Sequence, residues 1–118
     1  MTTDTKELLT YAAKAVGLEL DEFSYVEKPN TPAYFTAKNY VGRWNPATDD
    51  GDSARLRTAL EMDVEWYVNG RVKVAVYFYD KYERASKGEN AADHSGDKNA
   101  ALRWATLKLA AEIGRRML

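Results

Sequence analysis

The chain contains no cysteine and a single histidine among its 118 residues. The absence of cysteine excludes disulfide bonds, thiolate catalysis and zinc or iron–sulfur sites with cysteine ligands. No apolar run approaches the length of about 18 residues that a membrane-spanning helix needs, so we expect no membrane partner. The polar first residues, Met1 to Lys6, lack the apolar core of a secretory signal. These absences favour a protein of the cytoplasm.

The chain also lacks an excess of charge of either sign. Its 17 basic and 18 acidic residues give a formal net charge of -1. Nucleic-acid binding usually needs a basic excess, so we do not expect a nucleic-acid partner. A hydrophobic content of 45% is enough for a packed core, and this length is typical of one domain. We therefore predict a single domain over residues 1–118.

Three segments place apolar residues at helical spacing. They span residues 4–16, 53–60 and 98–117. Gly17 follows the first segment, where a left-handed cap is favoured. The last segment carries two apolar stripes on nearly opposite sides, and each stripe needs a covering partner.

The second predicted helix follows an acidic turn. Asp50 or Asp52 is expected to cap its N-terminus, because an acid there accepts backbone N–H groups and complements the helix dipole. We expect Leu56, Ala59 and Leu60 to face inward.

Alternating apolar and polar residues predict a β-hairpin over residues 62–79. A three-residue loop, Val68-Asn69-Gly70, keeps the apolar residues on one face and pairs Trp66 with Val72. The opposite face then carries mainly tyrosines. The hairpin is the clearest element of the sequence.

The remaining segments give weaker signals. Residues 34–37 are typical of a strand, and residues 40–44 are either a second short strand or irregular chain. Residues 80–97 are rich in Gly, Asn, Asp and Ser, which predicts a long mobile polar loop. The order α-β-(β)-α-β-β-α predicts an α+β fold, in which helices pack on a small antiparallel sheet as an α–β–α sandwich.

Two segments resemble the phage ABA-sandwich domain family, a group of small phage and prophage proteins. The segments are Trp44-Asn45-Pro46 with Asp49-Asp50-Gly51-Asp52 and Leu56, and Asp97, Ala100-Ala101, Ala105 and Ala110-Ala111-Glu112-Ile113-Gly114. The resemblance covers residues 40–118. It implies a sandwich fold and a phage or prophage origin, and it implies no catalytic residues.

The candidate ligand-binding residues surround Trp44. Tyr40, Arg43 and Asn45 are its neighbours in sequence, and Arg55 follows in the second helix. An aromatic ring beside a guanidinium can stack on a base and pair with its phosphate. The alternative is that Trp44 fills the edge of the core.

The candidate interface residues lie on or beside the second stripe of the last helix. They are Arg103, Trp104, Leu107 and Arg115. Tryptophan and arginine are favoured anchors of protein interfaces, so this set indicates a homo-oligomer. The alternative is burial of the stripe within the chain.

Three acids of the turn, Asp49, Asp50 and Asp52, could in principle hold Mg²⁺ or Ca²⁺. The position five residues before Gly51 is Pro46, where an EF-hand loop needs an acid. We therefore attribute the acids to capping and turn formation and expect no metal.

Catalysis is not expected. Asp93-His94-Ser95 has the residue types of a hydrolase triad, but three consecutive residues cannot form its chain of hydrogen bonds. His94 is interpreted as a solvated loop residue. We predict no catalytic residues, no cofactor and no enzyme.

A binding module is the class that remains. Together with the phage resemblance, it suggests an accessory protein that acts in the host cytoplasm and counters a host defence by sequestering a nucleotide-like signal. The alternatives are an inhibitor that masks a host protein and a structural or assembly protein of the virion.

Overall fold

A computed structural model describes residues 5–69, 71–79 and 84–117. Within them the chain forms an α+β fold of three α-helices and six β-strands. The elements are α1 (Thr5–Val16), β1 (Val26–Lys28), β2 (Thr31–Ala37), β3 (Tyr40–Trp44), α2 (Asp50–Ala59), β4 (Asp63–Val68), β5 (Val72–Tyr79), β6 (Arg84–Asn90) and α3 (Lys98–Arg116). Short 3-10 turns lie at Glu22–Ser24 and Ala91–His94.

The first helix ends as its sequence predicts. Gly17 has a φ of 73°, in the left-handed region, and Leu18 N donates to Ala13 O over 3.0 Å. This closing bond beyond a left-handed residue satisfies a carbonyl that the helix leaves without a partner. The predicted start at residue 4 lies outside the described residues.

The strands form two antiparallel sheets where the sequence predicted one. Their orders are β1-β2-β3 and β4-β5-β6. The α+β class and the packing of helices on antiparallel strands are confirmed. The strand expected at residues 34–37 is the second half of β2, and residues 40–44 form β3.

The predicted hairpin exists, but its register differs from the prediction. Trp66 pairs with Val74 and Val68 with Val72, so the loop is Asn69 to Arg71. The three-residue loop starts one residue later than expected, which shifts each pairing by two residues. An even shift keeps every side chain on its face, so the predicted division into faces is confirmed. Gly70 lies outside the described residues.

The prediction of a mobile loop over residues 80–97 is wrong for residues 84–94. Residues 84–90 are the strand β6, which pairs with β5 along its whole length, and a 3-10 turn follows. Every second residue of β6 lies on the face toward α3. These residues are Ala85, Lys87 and Glu89, and only Ala85 is apolar. A polar edge strand has too little alternation in hydropathy for its period to be visible. Residues 80–83 lie outside the described part of the chain.

The long helix α3 is shared by two hydrophobic clusters, which confirms its two stripes. One stripe packs on β5 and β6, and the other packs on α1 and on residues of β2, β3 and α2. The buried residues of α3 on the first side are Ala101, Ala105 and Leu109, and on the second side Leu107, Ala110 and Ala111.

The edge strand β4 is not covered by α3. All six of its residues are exposed. Val64, Trp66 and Val68 share the face on which Val74 and Val76 of β5 are fully buried. We call these three residues the β4 row. None of the described helices is long and apolar enough to span a lipid bilayer.

Candidate functional site

The acidic turn before α2 lines part of the candidate site. Asp49 has extended backbone angles, and its side chain accepts from Asp52 N over 2.8 Å, so Asp49 is the N-cap. The prediction of Asp50 or Asp52 as the cap is wrong, because both already lie in the first helical turn. Of the expected inward residues, Leu56 is buried, whereas Ala59 is exposed and was predicted wrongly.

The carboxylate of Asp52 joins β3 to α2. Only 3% of the residue is exposed. It accepts hydrogen bonds from the Tyr40 hydroxyl, from Asn45 N at 2.9 Å and from Arg55 Nη2 at 2.8 Å. A buried carboxylate is tolerated when its acceptor sites are filled in this way. Asp52 is therefore a structural acid whose oxygens are already engaged.

This contact changes the ionisation of its neighbours. Burial, and then the hydrogen bond to Asp52, raise the pKa of Tyr40 above 10.0. The hydrogen bond to Asp52 also raises the pKa of Arg55. Tyr40 therefore stays a neutral hydrogen-bond donor, and Arg55 stays charged.

Two of the five predicted ligand-binding residues are structural. Trp44 is 2% exposed and packs with Phe35 in the core, so it cannot stack on a ligand. The Asn45 side chain accepts from Ala47 N at 2.8 Å and donates to Ala33 O. The prediction of Trp44 is corrected because its ring fills the core. Asn45 fixes the turn between β3 and α2 with its side-chain amide, and it also lines the groove beside that turn.

Four of the five predicted residues, all except Trp44, meet in one groove. They line an open depression with a volume of about 390 Å³, between β2, β3 and the start of α2, and they are Tyr40, Arg43, Asn45 and Arg55. Tyr34 and Asp49 also line it. We call it the Arg43 groove.

Two arginines lie over tyrosine rings in this groove. The Arg43 guanidinium carbon is 4.5 Å from the centre of the Tyr34 ring, and that of Arg55 is 5.5 Å from the centre of the Tyr40 ring. These cation–π contacts hold the guanidinium groups in place. The N–H edge of Arg43 stays available, whereas Arg55 donates to Asp52. Sequence reasoning missed Tyr34, because its place beside Arg43 depends on the pairing of β2 with β3.

The two arginines differ in their charge partners. Arg55 pairs with Asp52 at 2.8 Å and lies 3.9 Å from Asp49. Arg43 is exposed and forms no salt bridge with any residue that the structure describes. The uncompensated positive charge of the groove is therefore that of Arg43, and the exposed carboxylate of Asp49 lines the same groove beside Arg55.

Two of the predicted interface residues, Arg103 and Arg115, are used within the chain. Arg103 donates to Ala47 O at 2.9 Å and to Asp50 Oδ1 at 2.7 Å, which ties α3 to the acidic turn. Arg115 pairs with Glu7 of α1 at 3.1 Å. Both guanidinium groups connect helices of the same molecule.

The apolar pair of the predicted interface is also accounted for. Leu107 is fully buried, so its prediction as an interface residue is wrong and the alternative of intrachain burial is confirmed for it. Trp104 is half-buried and stacks on His94 with ring centres 6.4 Å apart. The stripe lies against α1 and its neighbours because the helix α3 crosses the middle of the molecule.

His94 is not the solvated loop residue that the sequence suggested. It lies in the 3-10 turn after β6, and its Nε2 is 2.9 Å from Glu89 Oε1. Lys108 of α3 donates to the other oxygen of Glu89 at 2.9 Å. The three side chains fix the end of β6 to α3.

Within residues 5–69, 71–79 and 84–117, no three His, Cys, Asp or Glu side chains are grouped so that they could hold a metal ion. A scan against protein-family models, a search of curated proteins and a search of solved structures each found no match to this chain. The resemblance to the phage ABA-sandwich family therefore stays a prediction.

Proposed function

We propose that this chain is a non-catalytic binding protein that holds a small nucleotide-like anion in the Arg43 groove. The observation that carries the proposal is the exposed Arg43 guanidinium, which lies 4.5 Å above the Tyr34 ring and has no described carboxylate as a salt-bridge partner. A flat cation on an aromatic ring offers both a stacking surface and hydrogen-bond donors for a phosphate.

The arrangement favours a ligand with its negative charge at one end. A phosphate at the Arg43 end gains charge-assisted hydrogen bonds. The groove also presents the carboxylate of Asp49, which repels a second phosphate and can accept a hydrogen bond from a ribose hydroxyl. The saturated carboxylate of Asp52 takes no part in binding. The ligand that fits is thus a mononucleotide or a cyclic nucleotide.

The biological setting of the proposal comes from the sequence. We infer a phage or prophage accessory protein that acts in the host cytoplasm and sequesters a nucleotide-like defence signal. The resemblance to the phage ABA-sandwich family supports this setting, and an open groove suits a protein that acts by occupancy. Sequestration needs only affinity and a high concentration of the protein.

A second candidate function is the masking of a host protein, and a virion structural role belongs to the same class because both need an interface. The exposed β4 row is the observation that favours this class. The expected α3 surface supports it less, since Leu107 is buried and Arg103 and Arg115 already have partners in the chain. We therefore place it second.

Thermal unfolding and calorimetry with AMP and cyclic AMP test the first proposal. Cyclic dinucleotides and NAD-derived nucleotides with a second phosphate should bind more weakly. A ligand at 100 times its Kd adds about 2.7 kcal/mol to the unfolding free energy and raises the unfolding temperature. Arg43→Ala should weaken binding at least about tenfold, because it removes charged hydrogen bonds worth about 1.5–3 kcal/mol.

Arg71→Ala is the matched control, because it removes the same charge from an exposed residue beside the other sheet. It should leave affinity unchanged. The absence of any stabilisation by these nucleotides contradicts the proposal, and binding that survives Arg43→Ala contradicts the assignment of the groove.

A further inference from the structure

The β4 row is an apolar surface beside an unpaired strand edge. Val64, Trp66 and Val68 are 37%, 43% and 75% exposed. They extend the face of β5 that α3 buries, and β4 lies at the end of its sheet with no described strand on its outer side. Such an edge pairs readily with another chain unless charge, a bulge or a covering segment prevents it.

We propose that a second copy of this chain covers the β4 row. The two β4 strands pair antiparallel about a twofold axis at Trp66, and the two three-stranded sheets become one sheet of six strands. The inference goes beyond the Arg43 groove and does not depend on it, because the groove is built on β2, β3 and α2.

The parity of the strand limits the registers that a symmetric pair can adopt. In an antiparallel pair, directly opposed side chains point to the same face. The β4 rows of both copies share one face only if the twofold axis passes through a residue position. An axis at either terminal residue, Asp63 or Val68, pairs only that one residue of the strand, which leaves Val64, Glu65, Trp66 and Tyr67 as centres. A closed dimer of this kind uses one self-complementary patch.

Charge excludes two of these centres. An axis at Glu65 places this carboxylate opposite that of the second copy. An axis at Val64 places Asp63 opposite Glu65 of the second copy. Like charges that are directly opposed destabilise a strand pair, so both registers are disfavoured.

Apolar contact selects between the two remaining centres. An axis at Tyr67 leaves Val64 beyond the last strand residue of the second copy, because β4 ends at Val68. An axis at Trp66 pairs Val64 with Val68 of the second copy, and Glu65 with Tyr67 of the second copy. Every residue of the β4 row then has an apolar partner, and no acid faces an acid.

The absence of cysteine makes a crosslinking test direct, because any disulfide must come from an introduced residue. Directly opposed residues in an antiparallel pair have Cα atoms about 4.5–5.5 Å apart, which lies in the range of a disulfide. Trp66→Cys should therefore form a covalent dimer on mild oxidation, visible on a non-reducing gel.

Val64→Cys is the matched control, since its exposure of 37% is close to the 43% of Trp66. The proposed register puts the two copies of residue 64 four residues apart along the strands, or about 13 Å, so this variant alone should not crosslink. A mixture of Val64→Cys with Val68→Cys should give the mixed disulfide. This pair also tests the register if Trp66→Cys fails to fold by circular dichroism.

Sedimentation of the unmodified chain supplies the second readout. We expect a dimer, with Val64→Glu and Val68→Lys each weakening association at least about tenfold, because a charge is buried opposite valine. A mixture of the two variants should restore dimers, because residue 64 of one then faces residue 68 of the other. A chain that is monomeric at all concentrations, or self-crosslinking of Val64→Cys alone, overturns the proposal.

Discussion

Gly114 of α3 lies directly against the backbone of Tyr11 of α1. A Cβ atom at position 114 would stand 1.9 Å from the carbonyl oxygen of Tyr11. The two helices therefore cross with backbone against backbone, and the residue at this position can have no side chain. Ala12, Ala13 and Ala110 of the same two helices are buried in one hydrophobic cluster.

Gly114→Ala should accordingly destabilise the protein although alanine favours helices. The added methyl group must push α1 away from α3, which costs about 3 kcal/mol or more of unfolding free energy. Urea unfolding followed by circular dichroism measures the loss. Gly51→Ala is the control: its Cβ meets only side-chain atoms, of Arg55 at 3.1 Å and of Asp49 at 3.2 Å, and helix propensity should offset these contacts. Equal stability of the two variants would contradict the close crossing.

Asp52→Ala should cost about 2 kcal/mol or more of unfolding free energy. The change leaves the Tyr40 hydroxyl, Asn45 N and the Arg55 guanidinium without their shared acceptor, and buried donors without acceptors are costly. Asp50→Ala removes an acid whose side chain is 70% exposed and should change stability much less. If the two variants unfold alike in urea, Asp52 is not the central contact of the turn.

The Tyr40 hydroxyl predicts a dependence of stability on alkaline pH. Its folded-state pKa lies above the ordinary value of 10.0, chiefly through burial. The contribution of the Tyr40 hydroxyl to the unfolding free energy is therefore complete below pH 10.0. It is lost as the pH rises through the folded-state pKa. Across this window the unmodified chain should lose more unfolding free energy than Tyr40→Phe, which has no such group. Parallel losses in the two proteins would disagree with the prediction.

Tyr67 on the outer face of β4 should ionise late. Hydrogen bonds to Glu65 and to Tyr77 raise its pKa, and the Glu65 bond is the larger cause. Glu65→Gln should therefore lower the pKa of Tyr67, as read from phenolate absorbance after subtraction of the spectrum of the matching Tyr67→Phe variant. An unchanged titration would show that the Glu65 contact does not persist in solution.

Leu107→Ala separates a core residue from an interface residue. The side chain is fully buried between α3 and α1, so its truncation should cost about 2–5 kcal/mol of unfolding free energy. The dissociation constant of the dimer should not change under conditions in which the variant remains folded. If association changes and the unfolding free energy does not, Leu107 is an interface residue and not a core residue.

The sequence predicted the elements whose signals are local. The stripes of α3, the left-handed residue after α1 and the faces of the hairpin follow from periodicity and from single residue types. The strand β6 was missed because its three inward positions are Ala85, Lys87 and Glu89, and their contacts with α3 are long-range. The cap was misplaced because three neighbouring aspartates can all cap, and the choice depends on where the backbone turns.

The groove was predicted in part, and the reason is strand parity. Adjacent residues of a strand point to opposite faces, so Arg43 and Trp44 could not serve one site once β3 was recognised. Arg43 is exposed and Trp44 is in the core. Tyr34 takes the aromatic role that Trp44 was expected to have, and its position follows only from the β2–β3 pairing.

Because α3 supplies residues to both hydrophobic clusters, neither cluster is complete without this helix. A fragment that ends before α3 would expose Val74 and Val76 on one side and the α1 alanines on the other. The residues of α3 must then be synthesised before either cluster is complete. Folding on the ribosome is thus deferred until α3 emerges, and a chain truncated before Lys98 would complete neither cluster.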